Sequence, residues 1–516
     1  MVRAEESVVR ALVAIRVDAS AQMGLGHIQR CLTLANALRK QSVRCRFICR
    51  FVPEQFAELI ACNGHDLLRL PAADSGDADQ IGSTHERWLG ASQTEDANQT
   101  AGMLSTNRPD WLIVDHYGID VRWEAAMRPF AKAILVIDDL ANRSHDCDVL
   151  LDQNYVVDGA DRYSSLVPAS CRQMLGPRYA LLRPDFAELR DVRLNRDGSV
   201  ARVLVFFGGA DEDNYTALAL DALDRLGRFD LAVDVVVGLM NPHRSEIETT
   251  CGRRPNTRFF YQVNDIARLM AEADLALGAG GSATWERCSV GLPTLALVAA
   301  DNQRRLTGDL CDFGAVLSPS SESGVGLRNE FIALLGAMLS SKALLRGMTR
   351  RCRDLVDGLG AQRVVGTMLS VGTLLRLATE DDCQRVYEWR NHPSVRSVSR
   401  VQTSFSLDSH RRWFAEALRN PDRLILVAEC SGQPIGVVRF DIAGESSEVS
   451  VYLSPDKLAG GWGSEVLALA TQWLKEHRKN VRDIVAEVLP ENLASRGAFK
   501  RAGYQESKVT LVRRLV

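Results

Sequence analysis

The stretch LVAIRVDASAQMGLGHIQRCLTLA, residues 12–35, contains the pattern that decides the fold. Its apolar run at residues 12–17 predicts a short strand, and the glycines that follow allow a tight turn before a helix that begins near His27. A strand without polar alternation is buried on both faces, which is typical of a parallel sheet covered by helices. A similar run recurs at residues 111–115. We therefore predict an α/β domain over residues 1–195.

The same alternation of strand and helix restarts after a polar, turn-rich break at residues 195–199. Apolar runs at residues 203–207 and 273–277 each lead towards a glycine-rich turn, which predicts a second α/β domain over residues 196–365. Successive strands without intervening helices then indicate an α+β domain over residues 373–516. Two α/β domains facing one another across a cleft are the expected architecture of the first two thirds of the chain.

The composition of the 516 residues is that of an ordinary globular chain, with 46% hydrophobic and 25% charged residues. A formal net charge of −3 gives no basic surplus, so neither nucleic acid nor an anionic membrane is an expected partner. No apolar run approaches the ~18 residues of a membrane helix, and charges interrupt the N-terminus where a signal peptide would be apolar. We expect a soluble, cytoplasmic protein whose 12 dispersed cysteines are reduced and form no metal site.

The first glycine-rich turn presents a histidine at the start of a helix. Gly24 and Gly26 let the backbone approach a ligand, and the helix dipole disfavours protonation of His27, which makes it a candidate general base. Arg30 lies one turn along the same helix face. The alternative is a plain strand–helix turn with a packing histidine, because the complete dinucleotide-binding fingerprint is absent.

A second glycine-rich turn, GAGGSATWER, occupies residues 278–287. Its amides could hold a diphosphate, and Glu286, on the same helix face as Ser282, could accept two hydrogen bonds from a ribose. The alternative is Ser282 as an ordinary helix cap with Glu286 as a first-turn acid. Asn302 and Gln303 follow the next strand and add neutral amides that suit sugar or base recognition.

These motifs give roughly the first 360 residues a family resemblance. They resemble the UDP-sugar hydrolase of pseudaminic acid biosynthesis, a family built on the GT-B scaffold of two Rossmann-like domains with a cleft between them. The motifs that carry the resemblance are residues 16–18 with GLGHIQRCLTLA at 24–35, VDHYG at 114–118, IDD at 137–139, DQNY at 152–155, GGSATWER at 280–287 and DNQ at 301–303.

The resemblance implies hydrolysis of UDP-2,4-diacetamido-2,4,6-trideoxy-β-L-altropyranose to UDP and the free sugar, with inversion and without a metal. His27 matches the catalytic histidine that activates the attacking water, and Glu286 matches the position that holds the uridine ribose. The other residues expected to bind the UDP-sugar are Arg16, Asp18, Gly24, Gly26, Arg30, Asp115, Tyr117, Gly280, Gly281, Ser282, Asn302 and Gln303.

Residues 373–516 resemble a GNAT acyl-CoA N-acetyltransferase. The turn GWGS at residues 461–464 precedes a long helix and offers backbone donors to a pyrophosphate. The resemblance implies acetyl-CoA as a co-substrate, with Asn492 on the pantetheine side. The other residues expected to bind acetyl-CoA are Leu453, Gly461, Trp462, Gly463 and Ser464.

The acetyltransferase motifs depart from the family pattern at two positions. Leu458 stands where Gln or Arg is usual, and Phe499 stands where many members have a tyrosine general acid. The thiolate would then be protonated by Ser495, Tyr504 or water. The candidates for the base that accepts the amine proton are His410, Glu429 and Glu448.

Acetylation of a UDP-amino-sugar and removal of UDP are consecutive steps in that pathway. We therefore predict a bifunctional enzyme that acetylates its substrate in the C-terminal domain and releases UDP in the N-terminal cleft. One alternative is a GT-B glycosyltransferase that transfers the sugar to an acceptor alcohol. A further alternative is that the C-terminal domain is a non-catalytic coenzyme A-binding module.

Overall fold

The computed structural model describes residues 11–20, 23–72, 85–157, 159–193, 196–263, 265–370, 373–399, 402–430, 433–458 and 462–505. The chain divides into two compact units, the first ending at Ala361 and the second beginning at Gln362. The finer boundaries predicted at residues 195 and 373 stay predictions.

The first sheet consists of seven parallel strands in the order β3-β2-β1-β4-β5-β6-β7. Its strands are β1 (Ala11–Val17), β2 (Val43–Cys49), β3 (Asp66–Arg69), β4 (Trp111–Asp115), β5 (Ala133–Ile137), β6 (Val149–Asp152) and β7 (Arg172–Leu175). The helices of this domain are α1 (Gly26–Arg39), α2 (Glu54–Cys62), α3 (Gln93–Leu104) and α4 (Val121–Met127).

The second sheet consists of six parallel strands in the order β10-β9-β8-β11-β12-β13. Its strands are β8 (Arg202–Phe206), β9 (Ala232–Val237), β10 (Thr257–Tyr261), β11 (Leu275–Ala279), β12 (Thr294–Leu297) and β13 (Val316–Leu317). Its helices are α5 (Pro184–Leu189), α6 (Tyr215–Arg225), α7 (Arg244–Arg253), α8 (Ile266–Glu272), α9 (Ala283–Ser289), α10 (Asn302–Phe313), α11 (Gly324–Ser340) and α12 (Lys342–Leu355), and α13 (Gly360–Ser370) spans the point where the two units divide.

Continuous apolar strands give the second sheet two buried faces. In β8, Val203 and Val205 enter one apolar core, whereas Leu204, between them, enters the core on the opposite face. Side chains of a strand alternate between the faces of a sheet, so a strand with no polar positions needs helices on both sides. The parallel sheets predicted from the sequence are confirmed.

The strand orders determine where a ligand can bind. In both parallel sheets the order reverses beside the first strand, between β1 and β4 and between β8 and β11. The carboxyl ends of strands at such a switch point flank an open crevice. The chain passes between the sheets early, since Ala180 and Phe186 already pack in the core of the second sheet. Two Rossmann-like domains that line one cleft confirm the predicted GT-B arrangement.

The second unit contains a five-stranded sheet in the order β14-β15-β16-β17-β18. Its strands are β14 (Thr373–Leu377), β15 (Arg423–Cys430), β16 (Gln433–Ala443), β17 (Ser446–Leu453) and β18 (Asp483–Val485). Its helices, after α13, are α14 (Cys383–Asn391), α15 (Pro393–Arg396), α16 (Leu407–Arg419), α17 (Trp462–His477) and α18 (Leu493–Arg501). The mixed sheet with helices confirms the predicted α+β class.

Strands β17 and β18 are parallel neighbours over only part of their length. Pairing runs from Ser446 to Glu448 on β17, and the rest of β17 has no partner in β18. The two strands therefore separate beyond Glu448, which leaves backbone groups of β17 open beside the start of α17.

Within the described ranges, no single helix has the length and apolar composition needed to cross a membrane. One bent pair, Gly324–Ser340 with Lys342–Leu369, meets that measure of length and composition only when the two helices are taken together.

Candidate active site

A cavity of about 610 Å³ lies between the carboxyl ends of the two parallel sheets. Turns that follow β1, β4, β5 and β6 line one side, and turns that follow β8, β11 and β12 line the other. The two sides approach closely, because a Cβ atom placed on Gly26 would lie 3.4 Å from Ser282 Oγ. Both predicted glycine-rich turns therefore meet in one cleft.

His27, Arg30 and Asp115 form the polar centre of the first side. His27 Nδ1 lies 2.6 Å from Asp115 Oδ1, and Arg30 donates to both carboxylate oxygens at 2.6 and 2.7 Å. The Sγ of Cys31 donates to Oδ2 at 3.4 Å. The spacing of three residues on α1 places His27 and Arg30 on the same carboxylate, which ends β4.

Asp115 remains ionised and selects the tautomer of His27. Burial alone would raise the pKa of this carboxyl, but the charge of Arg30 and the hydrogen bonds from Arg30 and His27 outweigh burial and hold the pKa well below its usual range. A carboxylate can only accept, so His27 Nδ1 carries the proton, although Arg30 Nη2 also lies 3.2 Å from that nitrogen. The other ring nitrogen, Nε2, is then an acceptor, and His27 lines the cleft.

Asp139 is a site residue that the sequence reasoning did not select. It lines the cleft, accepts from the Tyr117 hydroxyl at 2.6 Å and lies 3.2 Å from Arg30 Nη1. Burial, followed by the nearby Asp139 charge, raises the pKa of Tyr117 well above its usual value, so its hydroxyl stays protonated and donates. Its neighbour Asp138 is fully buried, so the pair splits between cleft and interior as adjacent positions after a strand should.

Aromatic rings cover one wall beside the histidine. The Tyr117 ring meets the His27 ring edge-on at 4.7 Å, and the rings of His85 and Trp88 lie tilted against Tyr117, with centroids 5.5 and 6.1 Å away. His85 and Trp88 both line the cleft. They lie in a short turn between β3 and α3 that carries no sequence motif, so only the structure identifies them.

Arg16 and Asp18 are placed beneath the cleft and not on its lining. Both are 0% exposed. Arg16 binds Asp96 through two nitrogens at 2.7 and 3.0 Å, and its Nη1 lies 2.9 Å from Asp18. Asp18 also accepts the amide of Arg50 at 2.6 Å. The structure places these two residues behind the site where they were expected to contact the UDP-sugar, because ion pairs with Asp96 and with each other hold both side chains in the interior.

The second side of the cleft is a tightly packed glycine turn. Gly280, Gly281 and Ser282 line the cavity, as do Asn302 and Gln303 at the start of α10. The Gln303 side-chain oxygen accepts a hydrogen bond from the Ala299 backbone amide at 3.0 Å, so the side chain of Gln303 stabilises the turn between β12 and α10. Asn302 is exposed and keeps its side chain available to a ligand.

Glu286 does not line the cavity, contrary to its expected position at the ribose. It is half-buried on α9, near Arg183 and Asp185. Burial raises the pKa of its carboxyl to about 7. The next residue, Arg287, does line the cavity and was not selected from the sequence.

The acetyl-CoA residues predicted in the second unit are mostly occupied in packing. Leu453 and Trp462 belong to the apolar core beside α17, so only their backbone groups are free to contact a cofactor. Asn492 caps α18 by accepting the Ser495 amide at 3.0 Å, and its Nδ2 donates to Val398 O. Gly463 and Ser464 open α17, whereas Gly461 lies outside the described residues.

The candidate acid and base residues of this unit also have partners. Phe499 is buried and meets the ring of Tyr504, whose hydroxyl lies 3.0 Å from Thr471 Oγ1. His410 is buried among aromatic rings with Nε2 3.2 Å from Cys383 O, and Glu429 accepts from Arg376 at 2.7 Å.

Comparison with known proteins assigns a class to the second unit. Residues 373–505 match the family model described as an acetyltransferase (GNAT) domain. This match supports acetyltransferase activity and the use of acetyl-CoA by that part of the chain.

Three relatives extend the comparison to the whole chain. An uncharacterised protein of Methanocaldococcus jannaschii is 22% identical over 519 residues, which cover 96% of this chain and 97% of that protein. The spore coat polysaccharide biosynthesis protein SpsG of Bacillus subtilis is 26% identical and covers 69% of this chain and 97% of its own. The UDP-2,4-diacetamido-2,4,6-trideoxy-β-L-altropyranose hydrolase of Campylobacter jejuni is 26% identical and covers 51% and 82%. The chain thus joins a region similar to the Bacillus and Campylobacter proteins to a GNAT domain.

Proposed function

We propose that the cleft hydrolyses UDP-2,4-diacetamido-2,4,6-trideoxy-β-L-altropyranose with inversion, and that the GNAT domain N-acetylates the precursor UDP-4-amino-sugar from acetyl-CoA. The observation that carries the hydrolase proposal is the hydrogen bond of 2.6 Å between His27 Nδ1 and Asp115, which leaves Nε2 as a base at the cleft. The similarity to the Campylobacter hydrolase supports the choice of substrate.

In the proposed hydrolysis, His27 Nε2 accepts a proton from a water molecule as the water oxygen attacks the anomeric carbon. The bond from that carbon to the diphosphate oxygen breaks, and its electron pair leaves with UDP. Attack opposite the leaving group inverts the configuration. The ionised Asp115 stabilises the imidazolium that forms, as a buried carboxylate does in other histidine-based sites.

In the proposed acetylation, the amino group of the sugar attacks the thioester carbonyl of acetyl-CoA. The amide bond forms, the nitrogen gives up one proton, the carbon–sulfur bond breaks, and coenzyme A leaves as a thiolate that takes up one proton. The separation of β17 and β18 beyond Glu448 supports this site, because it leaves backbone groups free to hold an extended cofactor.

The test is proton NMR of the full chain with the UDP-linked amino-sugar, with and without acetyl-CoA. We expect free diacetamido sugar of inverted anomeric configuration only when acetyl-CoA is present. The His27→Ala variant should stop at the acetylated UDP-sugar, while His65→Gln, a buried histidine outside the cleft, should behave as the wild type. Release of UDP by His27→Ala at the wild-type rate would contradict the proposal.

A glycosyltransferase is the second candidate for the cleft. A neighbouring cavity of about 660 Å³ shares Asn154 with the main cleft and is also lined by Tyr155 and Tyr179, which leaves room for an acceptor. Release of UDP in the absence of any acceptor separates the two functions. Acetylated UDP-sugar that persists until an alcohol is added would favour transfer.

A further inference from the structure

The positive charges that line the cleft are unequally neutralised. Within the described residues, Arg30 and Arg287 are the arginines of the lining, and the lining contains no lysine. Arg30 is held by Asp115 and Asp139. Arg287 forms no ion pair with any described carboxylate, although Glu286 precedes it in the chain. An anionic ligand in this cleft would therefore meet one arginine whose charge is already balanced and one whose charge is not.

Arg287 is buried with part of its hydrogen-bonding capacity unused. The residue is 1% exposed. Its Nη2 donates to Ala279 O at 2.6 Å and to Thr284 Oγ1 at 3.0 Å. Its Nε and Nη1 have no hydrogen-bond partner among the described residues. Burial lowers the pKa of this guanidinium to about 10, so it remains charged at neutral pH.

A buried charge without a counter-charge destabilises the protein that carries it. Buried cations in folded proteins are normally paired with a carboxylate or bound to an anion. The charge of Arg287 is therefore expected to be balanced by something that is not part of the described chain.

The position of Arg287 relates this charge to the glycine turn. A Cβ atom on Gly278 would lie 2.8 Å from Arg287 Nη1, so the guanidinium lies directly against the backbone of the turn. On the other flank, a Cβ atom on Gly280 would overlap Thr307 Oγ1, a second buried polar atom without a partner among the described residues. A cation and a hydroxyl therefore lie behind the turn that lines the cleft, and only the backbone of the turn would separate them from a ligand in the cleft.

We propose that Arg287 is the cation that balances the charge of the diphosphate group of the nucleotide across the glycine turn. It holds the turn through Ala279 O and balances the charge of the phosphates, including the negative charge that develops on the leaving oxygen. This inference rests on the proposed function, since it supplies the anion site that a UDP-sugar requires.

The test compares the binding of UDP, uridine and inorganic pyrophosphate by calorimetry to the full-length wild type and to Arg287→Met and Arg287→Lys. Arg254→Met is the matched control, because Arg254 is a buried arginine of the same domain that pairs with Asp224 outside the cleft. Thermal unfolding of each variant without ligand shows whether it is folded.

We expect Arg287→Met to lose about 10- to 100-fold in affinity for UDP and pyrophosphate, because a buried charge acts strongly on a nearby anion, and to bind uridine within about 3-fold of the wild type. Arg287→Lys should retain part of the affinity, and Arg254→Met all of it. If folded Arg287→Met bound UDP as tightly as the wild type, with or without the same result for Arg287→Lys, the role of Arg287 would be overturned. The proposed function would not be overturned by that result. A wild type that binds neither UDP nor pyrophosphate would overturn the proposed function as well.

Discussion

At the scale of single residues, the polar centre of the cleft is organised by the hydrogen bonds that one buried carboxylate accepts. Asp115 accepts from His27, Arg30 and Cys31 and is fully buried. Because Arg30 balances its charge, Asp115 can stay ionised and hold the imidazole in one tautomer. The role proposed for His27 as a base therefore depends on its contact with Asp115 as much as on its own position in the cleft.

We predict that Asp115→Asn lowers the rate of UDP release by about 100-fold or more, because an amide can no longer impose the tautomer that leaves His27 Nε2 unprotonated. The measurement is single-turnover release of UDP from the acetylated UDP-sugar. Asp120→Asn, which removes an ion pair with Arg122 outside the cleft and keeps a residue that can cap α4, is the control. Equal rates for Asp115→Asn and the control would contradict the assigned role.

The sequence located some of these residues and missed others for a definite reason. His27 and Arg30 follow from helical spacing, and Asp115 follows from its place at the end of a buried strand. Arg16 and Asp18 also lie at the end of β1, yet both side chains are buried in the interior. The sequence of a strand does not show which side chains at its end point into a crevice, so their burial could not be predicted. Asp138 and Asp139 both carry a carboxyl group, so residue type alone did not show that Asp139 is the one that lines the cleft.

At the scale of elements, the turn between β11 and α9 is shaped by the groups packed behind it. Gly278, near the end of β11, and Gly280, in the turn, have no room for a side chain, because Phe206 O and Arg287 lie against the first and Thr307 lies against the second. Gly281 is less restricted, since a Cβ there would meet only the end of the Gln303 side chain at 3.2 Å. Packing from behind, and not a positive φ, requires glycine at the first two positions.

We predict that Gly280→Ala displaces this turn and weakens UDP binding by about 10-fold or more, since its methyl group would overlap Thr307 Oγ1. Thr307→Ala removes that oxygen, so the double variant Gly280→Ala/Thr307→Ala should recover much of the affinity. Gly281→Ala should have a smaller effect. Calorimetric titration with UDP measures all four variants, and a double variant as weak as Gly280→Ala would show that the overlap is not the cause.

A buried histidine, His145, makes contacts between elements of the first domain that depend on its protonation and therefore on pH. His145 Nδ1 lies 2.7 Å from Glu124 on α4, and Nε2 lies 3.9 Å from Asp138 after β5. Burial would lower the pKa of His145, but the neighbouring carboxylates of Asp138 and Glu124 raise the pKa to about 9. The charged imidazole is therefore favoured in the folded state.

We predict that this contribution to stability, on the order of 1–3 kcal/mol, is fully present below pH 6.5 and is lost as the pH rises through about 9. A raised folded-state pKa means that the native protein binds more protons than the unfolded chain in that interval. The measurement is the difference in melting temperature between the wild type and His145→Gln across this range. A difference that stays constant from pH 6 to pH 10 would contradict the assignment.

The order of elements was largely predictable, whereas their exact lengths were not. Apolar runs and glycine turns identified the parallel strands, because burial on both faces leaves a clear pattern. For example, β18 spans only Asp483–Val485, since it separates from β17 after three residue pairs. Strand separation depends on tertiary packing and leaves no local signal.

At the scale of the whole molecule, the chain consists of two units with separate apolar cores. The cores of the two parallel sheets belong to the first unit, and two further cores flank the sheet of the second. The proposed ligands likewise belong to different units, UDP to the first and acetyl-CoA to the second. The alternation of strands and helices changes near residue 373, so the sequence pattern predicts a separate C-terminal domain, whereas the two units divide between Ala361 and Gln362.

We predict that each ligand stabilises only its own unit. UDP at about 100 times its dissociation constant should add about 2.7 kcal/mol to the first unit, and acetyl-CoA at the same ratio should do so for the second. Differential scanning calorimetry of the full chain with each ligand in turn measures the effect. If either ligand raised both transitions equally, the two units would unfold as one.

The close approach of the two sides of the cleft has a consequence for the speed of turnover. Gly26 faces Ser282, and Leu25 lies near Gly209, so the turn that carries the base already touches the opposite domain. We expect the proposed release of UDP to require that these contacts separate, a movement that displaces solvent. Turnover of the wild type should then slow in proportion to the viscosity of added sucrose, whereas Asp115→Asn, limited by proton transfer, should not respond.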